Sequence, residues 1–154
     1  MAPRRTSQRG FTLAELVMVL VIIGILAALV APRMLSTRNF ASRGFYDEAQ
    51  AVVRFAQKTA IAWRRPIVVC VSATEISAIS NGDCTAPTFV AHPASGGDLR
   101  SLAPDGVTLA PVGNFQFDGL GRPSAAVAIV LTSTIADDPA RQILVASDTG
   151  YVSR

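Results

Sequence analysis

Gly10-Phe11-Thr12-Leu13-Ala14-Glu15-Leu16 opens a run in which every residue from 16 to 31 is apolar or glycine. Counted from Phe11, that run rises about 31 Å as a helix, the thickness of a bilayer core. Arg4, Arg5 and Arg9 precede it with no acid among them, which sets the N-terminus in the cytoplasm and everything after Pro32 outside. A secretory signal peptide has the same basic-then-apolar order, but its cleavage site is missing. The best position would place Leu29 and Ala31 before the cut and Pro32 immediately after it. A lipoprotein leader fails for want of a cysteine at the boundary.

Glu15 is the informative residue. A carboxylate near hydrocarbon costs roughly 2.5 to 3.5 kcal/mol on insertion scales, so an acid there has a function by default. A cut after Gly10 would create an amine on Phe11 one helical turn from Glu15, at a helix N-terminus that favours an acid.

Gly10-Phe11-Thr12-Leu13-x-Glu15-Leu16, behind a short basic leader and ahead of an apolar helix, resembles the class III signal of type IV pilins and type II secretion pseudopilins. The resemblance implies that a prepilin peptidase cuts between Gly10 and Phe11 and methylates the Phe11 amine. It also implies that Glu15 pairs with the terminal amine of a neighbouring subunit during assembly. The expected organisation is a leader at 1–10, a transmembrane and assembly helix at 11–32, and a periplasmic globular domain at 33–154. Pro32 can neither donate a helical hydrogen bond nor fit the preceding turn, so a kink or local melting is expected there.

Beyond Pro32, Phe45, Ala49, Val52, Ala56, Ala60 and Trp63 recur every three or four residues, an apolar stripe on a helix reaching about residue 63. Asp47, Glu48, Gln50, Arg54, Gln57 and Lys58 take the other face. Arg64-Arg65-Pro66 then stops the helix. From there the pattern turns to short β-like runs at 67–71, 75–80, 88–91, 107–110, 115–117, 125–132 and 142–146. Turn signals such as Asn81-Gly82-Asp83, Pro104-Asp105-Gly106 and Gly119-Leu120-Gly121 separate them. The predicted fold class is α+β: a long N-terminal helix packed on one C-terminal antiparallel sheet domain.

This half is similar to minor pilins of the FimT/GspH type. The segments that carry the similarity are Val53-Arg54-Phe55-Ala56-Gln57-Lys58, Arg65-Pro66-Ile67-Val68-Val69-Cys70 and Phe117-Asp118-Gly119-Leu120-Gly121-Arg122-Pro123. Arg141-Gln142-Ile143-Leu144-Val145-Ala146-Ser147 and Gly150 add to it. The implied role is a low-abundance subunit at or near a fibre tip that helps to start or cap assembly. Its partners would be prepilin peptidase, other pilins or pseudopilins, the inner-membrane assembly platform and the membrane itself. The other reading is a pilus-tip DNA receptor. That branch calls for Gly-Arg-x-Arg near the end, where this chain has Gly150-Tyr151-Val152-Ser153-Arg154, leaving Arg154 as the one matching contact.

Charge argues against a general nucleic-acid binder. The chain has 14 basic and 11 acidic residues, and removal of the three leader arginines leaves 11 of each. His92 is the single histidine and sits before Pro93, without a second nitrogen ligand for a metal or a partner for catalysis. No metal, cofactor or catalytic site is expected. Cys70 and Cys84 lie in the external part and are expected to form a disulfide; two reduced thiols in the core are the competing reading.

Overall fold

The computed structural model describes residues 12–135 and 137–154, the side chains of 28–39 excepted. It divides into two compact units, Met1–Thr37 and Arg38–Arg154. One helix, α1 (Leu13–Trp63), contributes to both, and eight strands follow it: β1 (Ile67–Val71), β2 (Glu75–Ile79), β3 (Arg100–Leu102), β4 (Val107–Ala110), β5 (Gly113–Phe117), β6 (Val127–Ser133), β7 (Arg141–Val145) and β8 (Val152–Ser153). The class is α+β, as expected, a helix followed by antiparallel sheet. The strands make two antiparallel sheets of four, β3-β2-β1-β5 and β4-β6-β7-β8, an order the sequence left open. The run at 88–91 is not a continuous strand; it pairs through isolated bridges at Phe89 and Ala91.

In the second unit the helical stripe is buried as its spacing dictates. Phe45, Ala49, Val52, Ala56 and Ala60 all lie in the core, and the three alanines let sheet side chains approach the helix axis closely. Trp63 departs from the expectation. It is 48% exposed, stacked under the Arg65 guanidinium at 4.6 Å, because the helix ends there and the stripe has run past the sheet. Gln50, assigned by spacing to the solvent face, is buried. The strands alternate with period two: Ile67, Val69 and Val71 of β1, Phe115 and Phe117 of β5, Ile129 and Leu131 of β6, and Ile143 and Val145 of β7 meet α1 in one cluster.

Arg64 ends α1 in the left-handed region (φ 49°), and Arg65 N–H reaches back to the Ala60 carbonyl at 3.3 Å, a Schellman-type stop that Pro66 prevents from continuing.

Cys70 and Cys84 are bonded, tying β1 to the loop after β2. That loop also staples itself, through Asn81 Nδ2 to the Ala86 carbonyl (2.7 Å) and Thr88 N–H to Asn81 Oδ1 (3.0 Å). Chain entropy for a loop of this length is worth about 3 kcal/mol, and a self-ordered loop recovers part of it, so Cys70→Ser with Cys84→Ser should cost about 2 to 3 kcal/mol. Urea unfolding of the oxidised chain against the double variant reads this directly. Equal midpoints would mean that the bond contributes nothing to stability.

Candidate functional site

The first unit presents an apolar rod with one acid. Eleven large apolar side chains between Leu13 and Leu26 are between 46% and 83% exposed, on every side of the helix. Full burial stabilises each by about 1.5 to 3 kcal/mol, so an isolated chain forgoes on the order of 10 kcal/mol here. A helix apolar all round is a buried helix, in lipid or among other helices. Among the described residues no helix is long and apolar enough to cross a membrane. The expected span at 11–32 needs the sequence run beyond Ala27, which enters the stretch whose side chains lie outside the described residues.

Glu15 sits in the first turn of α1. Thr12 Oγ1 accepts from Glu15 N–H (3.3 Å) while the Thr12 carbonyl accepts from Leu16 N–H (3.2 Å), which makes Thr12 the N-cap and Glu15 the third helical residue. Thr12-x-x-Glu15 has the spacing of a capping box, a sequence signal that the reading above missed, and the Thr12 half of it is formed. No hydrogen bond holds the Glu15 carboxylate among the described residues. Gly10 and Phe11, the expected cleavage and methylation positions, lie outside the described residues, as does the side chain of Pro32.

At the other end of α1 the Phe117-to-Pro123 segment forms a clasp. Asp118 N–H and carbonyl close the turn with the Arg122 carbonyl and Gly121 N–H, and Asp118 Oδ1 accepts from Leu120 N–H (2.9 Å) and Arg122 N–H (2.8 Å). The Arg122 amide bond, chiefly, holds the Asp118 carboxyl below the usual carboxylate range. Gln57 Nε2 then donates to the carbonyls of both Gly121 (3.0 Å) and Thr149 (3.1 Å), joining the clasp and the β7–β8 turn to the helix. Tyr46 Oη donates to Gln142 O (2.9 Å) and an Arg54 guanidinium nitrogen to Val152 O (3.1 Å), so polar residues along one flank of α1 stitch it to β7 and β8. On the opposite side Ser101 of β3 donates to the Glu48 carboxylate (2.8 Å).

Three arginines of the second unit are paired with acids. Arg100 pairs loosely with Asp98 (3.9 Å) and lies over Phe89, whereas Arg141 pairs with the buried Asp138 at 2.8 Å. Burial opposes ionisation of Asp138, and the Ser42 and Arg141 contacts outweigh it, leaving its carboxyl below the usual range. Arg154 faces Asp47 at 3.6 Å across a cleft of about 350 Å³ that Arg43 and Arg141 also line. Arg43 had no sequence signal. His92 Nδ1 accepts from the amides of Ala94 and Ser95, so the single histidine caps its own loop. Among the described residues no three His, Cys, Asp or Glu side chains gather to hold a metal ion.

Residues 5–31 match the prokaryotic N-terminal methylation motif. Over 40 residues the chain is 55% identical to the type II secretion system core protein G of Klebsiella michiganensis, covering 26% of this chain and 28% of that one. Over 62 residues it is 40% identical to a type IV narrow pilus major component of Thermus thermophilus, covering 40% of this chain and 53% of that one. The chain thus spans between a quarter and about half of the length of these curated relatives. The fold is similar to that of the type IV minor pilin FimU of Pseudomonas aeruginosa, with a TM-score of 0.53 at 15% identity over 72% of this chain and 90% of that one. It is also similar to the minor pseudopilin EpsH of the Vibrio cholerae type II secretion system, at a TM-score of 0.52 and 9% identity over 74% and 92%. The chain thus carries the methylation motif of prepilin-type proteins at residues 5–31 and, over about three quarters of its length, a fold similar to those of a minor pilin and a minor pseudopilin.

Proposed function

We propose that the chain is a minor pilin or pseudopilin. A prepilin peptidase cuts it between Gly10 and Phe11 and methylates Phe11, and the subunit then helps to initiate or cap a type IV pilus or a type II secretion pseudopilus. The carrying observation is the capped apolar rod with Glu15 as its one charge, set before a domain of pilin fold. Before assembly the inner membrane covers the rod, with the N-terminus cytoplasmic and residues after Pro32 periplasmic. After assembly the rods of other subunits cover it. Arg154 is engaged with Asp47, and nothing in the geometry favours the DNA-receptor reading over the subunit reading.

Mass spectrometry of the membrane-extracted protein tests the first step. The expected N-terminus is methylated Phe11, and Gly10→Leu should leave the precursor uncut. An intact leader in cells with active prepilin peptidase, or an N-terminus near Pro32, would overturn the reading.

A further inference from the structure

The cleft lined by Arg43, Arg141 and Arg154 is settled at its floor and open at its mouth. Arg141 spends its guanidinium on Asp138 (2.8 Å) and on Ser42 Oγ (3.2 Å), and turning it to a ligand would strand the buried Asp138 carboxylate. Tyr46 Oη is given to the Gln142 carbonyl. These groups hold the shape of the cleft.

At the mouth the charges are not spent. Arg43 is exposed and pairs with no acid among the described residues. Arg154 reaches Asp47 only at 3.6 Å, between side chains that are 75% and 66% exposed, a geometry in which an ion pair contributes little. Arg43 and Asp47 lie four residues apart on α1, so they are neighbours on the helix surface. The one carboxylate at the mouth therefore stands beside two guanidinium groups and bonds closely with neither. The cleft, at about 350 Å³, has room for another side chain as well as Asp47.

We propose that this mouth takes a carboxylate side chain, aspartate or glutamate, of a different pilin-type subunit, held in a fork by Arg43 and Arg154 with Asp47 released from Arg154. Asp47 shows that the position accepts a carboxylate. Charge balance favours a single acid over a polyanion. Asp47, and Asp138 behind Arg141, offset two of the three arginines and leave one positive charge for a ligand to cancel. Duplex DNA presents a charge about every 1.7 Å and is held by a row of cations, where this cleft offers two guanidinium groups with an acid beside them. The proposal rests on the subunit reading above, which supplies the neighbour.

Carbodiimide coupling tests it, because that reagent joins an amine to a carboxylate only where the two touch. The full mature chain carries Arg43→Lys or Arg154→Lys, each of which keeps the charge and adds an amine at the mouth. Alone in detergent, either amine should couple to Asp47 of its own chain. In fibres or pseudopili that internal product should fall by at least about fivefold, replaced by a linkage to an aspartate or glutamate of another subunit that peptide mass spectrometry identifies. Lys58, the single native lysine, is the internal control for reagent access. Arg43→Glu with Arg154→Glu should lower incorporation about tenfold at an unchanged melting temperature, since both side chains are exposed in the chain alone. Wild-type incorporation of that reversed variant, or assemblies in which the added amines reach only Asp47, would overturn the proposal and leave the subunit reading intact. A wild-type chain that enters no assembly would overturn both. Linkage to a second copy of this chain would overturn the different subunit. Loss of the Asp47 product when duplex DNA is added to the isolated chain would put phosphate in the cleft and overturn the carboxylate.

Discussion

Replacing Glu15 by alanine is expected to reduce entry of the chain into fibres or pseudopili by at least about a hundredfold, with processing and fold unchanged. In the isolated chain Glu15 is exposed and its carboxylate meets no donor among the described residues, so its removal takes nothing from the core. Its backbone N–H, which Thr12 Oγ1 caps, survives the substitution. On the proposed function the same carboxylate would lie among packed apolar helices in an assembly, where an unpaired charge is untenable, and the methylated Phe11 amine of a neighbour would be its partner of opposite sign. Breaking a buried pair by deleting one member costs about 3 to 5 kcal/mol, which is why the loss is large. Quantitative mass spectrometry of sheared fibres, with membrane extracts as the reference pool, measures it. The melting temperature should move by no more than about 2 °C, the scale of an exposed substitution. Entry of the variant at the wild-type level would refute the docking role of Glu15. Failure to cut the leader would instead move that role to peptidase recognition.

The elements with a strong period were legible in the sequence, and their partners were not. Spacings of three and four from Phe45 to Ala60 mark a helical face that is buried as read, because the stripe and the sheet surface are complementary over that length. The same rule overshoots at Trp63, since periodicity records a helix but not where its sheet stops. It also misplaces Gln50, whose burial is set by β7 and β8 closing over the polar flank between Tyr46 and Arg54. Alternation located β1, β4 and β7 within a residue at each end. It passed over β3, three residues opening with Arg100, and β8, two residues before the end. The division into two sheets was hidden for a related reason. Local alternation shows that 115–117 and 125–132 are extended, but not that the chain leaves one sheet after Phe117 and enters the other at Val127. Glu15 was readable because a carboxylate beside an apolar run is costly, whereas the cleft that Arg43, Arg141 and Arg154 share is a property of the tertiary fold alone.

Gly150→Ala is expected to destabilise the domain by about 3 to 4 kcal/mol, far more than a surface substitution does. Gly150 has φ +67°, and a Cβ there would run into the Gly121 carbonyl oxygen and stand 2.5 Å from Gln57 Nε2. The first obstacle is backbone and cannot rotate away. The second is the donor that holds Gly121 and Thr149 to α1, so any relaxation must break those bonds. Gly82 separates the contributions, because its φ of +80° is as demanding while nothing lies within 4 Å of an added Cβ. Gly82→Ala should therefore cost only the left-handed backbone strain of about 1 to 2 kcal/mol. Gly150→Ala adds the collision and about 1 kcal/mol for each hydrogen bond lost. Urea unfolding of the two variants beside the parent chain, followed by tryptophan fluorescence from Trp63 near the helix end, gives the difference. A gap of about 2 kcal/mol or more between them measures what the clasp contributes to holding the sheets on α1. Equal losses would show that the clasp yields without cost, and that the helix is held by its apolar stripe alone.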